Sequence, residues 1–340
     1  MSNSKFEYVK DFEIQNTCLK QSYIVIRVDG KNFTKFCEAH NMIKPNDIRG
    51  IRLMISSAIK VCEAFNEIFL AYGQSDEFSF VFRKEAKSHN RRSEKLLSLI
   101  VSIFTAAYNF NWNKYFNYSY DSENDYSIIN TPQELLFPAS FDGRIVLYPN
   151  DKVLVDYFAW RQVDCHINNL INTSFWCLVN GSKTIKKYNY KKELIDNDQT
   201  FTTNSVKILS KKEAHNILKG TYSKDKQELL YKNGINYNNI SVVFKKGTFI
   251  YRIKECFSNK HDSNKQSNIN SKLDNLNINK SNIKDDIILN ENTTDFFYDK
   301  ILKDKNNTFE NLAYSSYKYN NLIISNEDSI EKNIFWEKLL

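Results

Sequence analysis

Residues 71–82, AYGQSDEFSFVF, constrain this chain more than any other stretch: two apolar strands are joined by a short polar turn carrying Gly73, Ser75, Asp76 and Glu77. Glycine and acidic residues are ordinary turn formers, so the turn alone would read as solvated. Its flanks restrict it further. Phe78, Phe80 and Phe82 alternate with Ser79, Val81 and Arg83, which points successive side chains to opposite faces of a sheet. Asp76 starts the face that the phenylalanines continue, and Glu77 starts the other. The expected place for Asp76 is the rim of a packed sheet.

A second acidic turn lies upstream, where residues 23–28 (YIVIRV) read as a buried strand that stops at Asp29-Gly30. Between the two turns, Pro45-Asn46-Asp47 opens a helix in which Ile48, Ile51, Ile55, Ala58, Cys62 and Phe65 recur at three- and four-residue steps. The order is strand, helix, strand, turn, strand. A parallel return through the helix sets the first strand beside a later one, with Asp29 and Asp76 ending on neighbouring strands at one sheet edge. Two carboxylates that close repel each other unless a divalent cation bridges them. The chemistry this pattern predicts is two-metal phosphoryl transfer, with hard oxygen ligands holding magnesium against a substrate triphosphate.

Five blocks, in order, carry a more specific signal: IVIRVDGKNFTKF (24–36), HNMIKPND (40–47), YGQSDEFSFVF (72–82), FDGRIVLYP (141–149) and WRQVDCHINNLINTSFW (160–176). Together they resemble the tRNA(His) guanylyltransferase family, from the first residues to about residue 255. The resemblance implies an α+β fold with a polymerase-palm-like, ferredoxin-like core (βαββαβ) and added helices. It implies that residues 29–34 (Asp29, Gly30, Lys31, Asn32, Phe33 and Thr34) contact GTP together with Ser75 and Asp76. It also implies that Asp29, Asp76 and the Gly30 carbonyl hold two magnesium ions. Many relatives have His where Thr34 stands, a departure that touches a nucleotide contact and leaves the carboxylates intact.

Other candidates surround this set. Lys44 precedes the first helix and can reach a phosphate; a lone lysine is otherwise a surface residue. Arg27 lies in the strand before Asp29. The cluster RKEAKSHNRRSEKL follows the Asp76 hairpin and offers Arg92 and Lys95 to a triphosphate or an RNA 5′ end. The catalytic set expected is Asp29, Asp76, Glu77 and Lys95, with Glu77 orienting water or a ligand because it faces away from Asp76. Residues 151–179 read as one long helix or two; its His166, Asn168 and Asn169 are candidate RNA contacts, although a histidine on an apolar stripe is commonly a core residue.

The remaining chain sets the domain plan. Residues 1–150 form the palm-like core, opened by one or two helical turns at 5–12, and residues 151–256 its helical and strand continuation, with 181–210 a surface-loop insertion. GKNFTKF is a polar bend, Asp142-Gly143 a turn, and residues 235–253 a strand pair around Lys245-Lys246-Gly247. Residues 257–308, rich in Asn, Lys, Asp and Ser, lack the apolar surface to order themselves and form a low-complexity disordered insertion. Residues 309–340 end in NIFWEKLL, which docks back on the core as a short helix.

Composition narrows the partners. The chain of 340 residues is 41% hydrophobic and 14% aromatic, enough for a substantial core, and 47 Lys and Arg against 40 Asp and Glu give +7, compatible with RNA without demonstrating it. Six scattered cysteines with no C-x-x-C pair argue against a zinc site. No apolar run reaches membrane-spanning length, and the first residues lack a signal-peptide core, so a cytoplasmic or nuclear protein is expected. The activity the resemblance implies is addition of guanosine to the 5′ end of tRNA(His), using ATP and GTP as substrates, by a homotetramer. The alternatives are template-directed repair of other tRNA 5′ ends by the same chemistry, a tRNA-binding protein that has lost catalysis, and a nucleotide cyclase on a similar core.

Overall fold

The computed structural model describes residues 4–116, 133–190, 208–252, 317–319 and 322–325. Its centre is an antiparallel sheet in the order β4-β1-β3-β2-β5-β7-β6, made of β1 (Tyr23–Gly30), β2 (Ile68–Gln74), β3 (Glu77–Phe82), β4 (Phe141–Tyr148), β5 (Thr248–Tyr251), β6 (Tyr317–Tyr319) and β7 (Leu322–Ser325). The apolar, β-branched run of β1 suits its place inside the sheet, where Ile24, Val25, Ile26 and Val28 are fully enclosed.

Two helices cover one face. The expected first long helix is α2 (Ile48–Ala64), which follows the short α1 (Phe33–Ala39) and is capped at its start by the Asp47 carboxylate accepting from the Arg49 N–H. It lies against α3 (Ser93–Phe116), whose Phe104 packs edge-on against Phe80 and Phe141. The other face takes α4 (Asp151–Asn180), a single helix of 30 residues, about 45 Å long at 1.5 Å per residue. Its first half places Leu154, Tyr157 and Phe158 on Tyr23, Val25, Tyr72 and Phe249. Its second half runs on into a cluster of Leu170, Cys177, Ile185, Leu230, Ile240 and Phe244, shared with α5 (Ser182–Asn189), α7 (Ser223–Lys232) and α8 (Val242–Lys246), while α6 (Lys211–Leu218) also lies against α4.

Several local expectations are corrected. The strand beside β1 is β3, antiparallel to it, and β2 lies beyond; the two-residue turn at Ser75-Asp76 folds β3 back into the gap that a parallel return would have filled. Asp142-Gly143 is not a turn but lies within β4, opposite Asp29 and Val28. GKNFTKF bends only as far as Asn32, which adopts a left-handed φ of 55°, and Phe33 then starts α1. Residues 182–189 of the expected loop insertion form α5, because Ile185 and Asn189 are buried against α4 and its neighbours. The expected strand pair near 245 is helix α8 followed by β5, which pairs with β2 and β7 instead. The tail reaches the sheet as β6 and β7; NIFWEKLL and residues 257–308 lie outside the described residues. No helix among the described residues is long and apolar enough to cross a membrane.

Candidate active site

The end of β1 and the β2–β3 turn meet at one edge of the sheet. In the ladder Asp29 stands opposite Glu77, and the Gly30 N–H donates to the Asp76 carbonyl at 3.1 Å. Ser75 takes a left-handed φ of 51° to make the tight turn. Gly30 is required by close approach: a Cβ there would come within 2.9 Å of Asp76 Oδ2 and 2.5 Å of the Phe33 ring. The backbone of Gly30 and the Asp76 carboxylate thus lie side by side.

Charge at this edge is unbalanced. Burial, and then the Asp29 carboxylate, push the Asp76 carboxyl up to about 6, partly offset by hydrogen bonds from its own backbone and from Ser75. Asp29 has the Arg27 guanidinium at 3.6 Å and is 32% exposed. Among the described residues no group of three or more His, Cys, Asp or Glu side chains could hold a metal by itself. Asp29, Asp76 and the Gly30 carbonyl are a set of hard oxygens with surplus negative charge, which fits magnesium, an ion that draws its remaining ligands from water and phosphate.

The turn after β1 is held from beneath. Lys31 N–H donates to the Ser140 carbonyl at 2.9 Å. Phe33 is buried among Phe36, Tyr108 and Phe141, with ring centres 5.0 to 5.8 Å away. Only the backbone of Phe33 is therefore left for a nucleotide, whereas Lys31, Asn32 and Thr34 are exposed beside Asp29. The first N–H groups of α1 have no intrahelical acceptor, as at any helix start. Lys44 is half-buried over the Trp176 ring at 5.9 Å, in a cleft of about 460 Å³ also lined by Cys37, Asn180 and Lys211. Burial pushes the Cys37 thiol in this cleft up to about 11, with Lys44 lowering it and Asp76 raising it.

Glu77 turns to the α4 face, as its alternation with Phe78 predicts, but a neighbour fixes it there. Arg161 of α4 donates from Nη1 to Glu77 Oε1 and Oε2 at 3.1 and 3.2 Å, and Gln74 donates to the same carboxylate. Both members of the ion pair are buried. Glu77 is thereby held by a protein partner on the α4 face. Arg161 went unseen in the sequence because the two residues lie 84 positions apart.

A family model described as tRNAHis guanylyltransferase (Thg1) matches residues 6–149, and one described as Thg1 C terminal domain matches residues 152–209 and 197–292. The chain belongs to the tRNA(His) guanylyltransferase family. It is 44% identical over 254 residues to the tRNA(His) guanylyltransferase of Schizosaccharomyces pombe, covering 74% of this chain and 82% of that one. The crystal structure of the Saccharomyces cerevisiae enzyme superposes with a TM-score of 0.58 at 37% identity, covering 73% of this chain and 93% of its own. A bacterial Thg1-like protein in complex with ATP superposes at 0.50 with 22% identity over 72% of this chain and 85% of its own, a likeness of fold alone.

The family's basic and HINN blocks are placed differently from the acidic edge. Arg92 and Lys95 open α3 where it meets the N-terminal segment, through Ser93 N–H to the Asn16 carbonyl. Lys95 is exposed and Arg92 half-buried. Among the described residues no hydrogen bond or ion pair joins either to Asp29 or Asp76. On α4, His166 is half-buried with its ring 5.5 Å from Tyr237, and burial, then Lys245, lowers its pKa. Asn168 is exposed and donates to Asp164 at 3.1 Å. Asn169 is buried, donating to the Tyr237 hydroxyl at 3.0 Å while its carbonyl accepts from Asn46 at 2.9 Å. These bonds make Asn169 a tie between α4, the residue before the Asp47 cap of α2 and the helical cluster.

Proposed function

We propose that this chain adds a guanosine to the 5′ end of tRNA(His), on a polymerase-palm-like, ferredoxin-like core formed by β1, α2, β2, β3, α3 and β4. The strand order β4-β1-β3-β2 with α2 and α3 on one face supports that core. In the reaction, the tRNA 5′-monophosphate attacks ATP at the α-phosphorus and releases pyrophosphate, leaving an adenylylated end. The 3′-hydroxyl of GTP then attacks the activated phosphate and releases AMP, and pyrophosphate is finally removed from the new 5′ terminus. Family membership and the juxtaposition of Asp76 with Asp29 and Gly30 carry this reading.

Asp29, Asp76 and the Gly30 carbonyl would hold two magnesium ions. Bound there, magnesium would lower the pKa of the attacking hydroxyl and neutralise charge on the leaving group. The exposed Lys31, Asn32 and Thr34 line the approach to the nucleotide's phosphates, and the Lys44 cleft offers a cation and an aromatic wall. Ser75, at a left-handed φ of 51°, makes the tight turn that presents the Asp76 carboxylate. The active form is proposed to be a homotetramer.

The test is incubation with 5′-monophosphorylated tRNA(His), ATP, labelled GTP and magnesium, beside a non-His tRNA with a truncated 5′ end. Label at the 5′ end of tRNA(His) alone is the expected result. Equal labelling of the truncated tRNA would favour template-directed repair, and tRNA binding with no labelling of either would refute the catalytic reading.

A further inference from the structure

The β1–β4 ladder sets Arg27 directly opposite Arg144, and Asp29 directly opposite Asp142. Residues opposite each other in antiparallel strands share a face, with Cβ atoms about 5 Å apart, and like charges so placed are destabilising. Four side chains therefore form a two-by-two block, one row cationic and one anionic, at the acidic edge. Among the described residues, each guanidinium pairs with the carboxylate of its own strand, Arg27 with Asp29 and Arg144 with Asp142, both at 3.6 Å. That separation exceeds a charge-assisted hydrogen bond. Arg27 Nε is buried with no acceptor among the described residues. Its neighbour on the other side, Ser79, is engaged with the Tyr157 hydroxyl at 2.7 Å.

The block is open to solvent on its β4 side, where the side chains of Asp142 and Arg144 are 57% and 55% exposed. The carboxylate row begins at Asp29, already assigned to the cation site. Each guanidinium has one carboxylate at 3.6 Å, too far for a charge-assisted hydrogen bond, and Arg27 Nε has no acceptor among the described residues.

We propose that Arg144 joins Arg27 in a two-guanidinium clamp for a substrate phosphate chain, carried by a nucleoside triphosphate or by the 5′ end of the tRNA. This rests on the guanylyltransferase reading for its choice of ligands. Two planar forks side by side suit an oxyanion that presents several oxygens, as phosphate does, and an ammonium in place of either would hold it as a point charge without that geometry. Like charges held opposite each other repel, and a bound polyanion would offset that repulsion.

Binding, read without turnover, tests the clamp on the full chain. Wild type, Arg144→Gln, Arg144→Lys and Arg27→Gln are titrated with inorganic tripolyphosphate, with ATP, and with tRNA bearing either a 5′-monophosphate or a 5′-hydroxyl. Arg144→Gln should weaken at least one phosphate-bearing ligand by about tenfold or more, and that ligand identifies the source of the phosphate. Arg144→Lys should recover part of the loss, and 5′-hydroxyl tRNA should bind as to wild type. Binding of every ligand by Arg144→Gln within twofold of wild type would overturn the clamp, as would equal weakening of 5′-hydroxyl and 5′-phosphate tRNA. Because no product is measured, a failure of the guanylyltransferase reading would appear as absent turnover in wild type and leave this result readable.

Discussion

Replacing Asp76 by Asn should make the cation-free protein more stable while abolishing its chemistry. The Asp76 carboxyl is pushed from an ordinary 3.8 up to about 6, first by burial and then by Asp29. Since a pKa unit corresponds to about 1.4 kcal/mol, ionising Asp76 in the fold at neutral pH costs about 3 kcal/mol relative to the unfolded chain. The folded pKa lies above the unfolded one, so the folded state holds the proton more tightly between about pH 4 and pH 6. Stability from this group therefore falls as pH rises through that window and stays reduced above it. Asp76→Asn, isosteric and neutral, removes the penalty. In urea unfolding with EDTA, the variant should exceed wild type by about 3 kcal/mol at pH 7.5, and the difference should shrink towards zero at pH 4. Magnesium should then stabilise wild type by mass action and leave the variant unchanged. A variant no more stable than wild type at pH 7.5, or a difference independent of pH, would refute the reasoning.

Three further outcomes follow from particular contacts. Arg161→Met leaves the buried Glu77 carboxylate uncompensated and should destabilise by about 3–5 kcal/mol in urea, whereas adding Glu77→Gln should restore most of the loss. Gly30→Ala forces a methyl against the Phe33 ring and Asp76 Oδ2; it should lower the melting temperature, by about 1–3 kcal/mol in stability, and reduce guanosine addition more than tRNA affinity. Asn169→Ala strips hydrogen bonds from Asn46 and Tyr237 and should lose about 1–3 kcal/mol of stability. Below its melting temperature it should bind tRNA as wild type does, and a selective loss of tRNA affinity would restore Asn169 as an RNA contact.

The acidic edge was legible because its signals are local. Alternation around Phe78, Phe80 and Phe82 places Asp76 and Glu77 on opposite faces, and the β-branched run before Asp29 ends where the strand ends. The periodicity of α2 was equally plain in the spacing of its apolar residues, whereas residues 151–179 read as one helix or two and form the single helix α4. What the sequence hid depends on distant pairing. Arg161 meets Glu77 across 84 positions, and Asp142-Gly143, which looks like a turn, lies within an edge strand because β1 supplies its partner. The Asn46–Asn169–Tyr237 ties use amides that the sequence suggests for RNA, since buried and exposed asparagines look alike until a fold encloses one of them. Helix α5 escaped notice because its eight residues are mostly polar, and one buried isoleucine, Ile185, anchors it.

The central claim, that Asp29 and Asp76 together carry guanosine addition, is tested most directly by single-turnover assays on 5′-monophosphorylated tRNA(His). Wild type, Asp29→Ala and Asp76→Ala are compared with magnesium present, following both the adenylylated tRNA and the guanosine-extended product. Both products should form with wild type, and each variant should lose both by roughly a hundredfold or more, the scale for removing a group that stabilises transition-state charge. Formation of either product by Asp29→Ala or Asp76→Ala within tenfold of wild type would contradict the account.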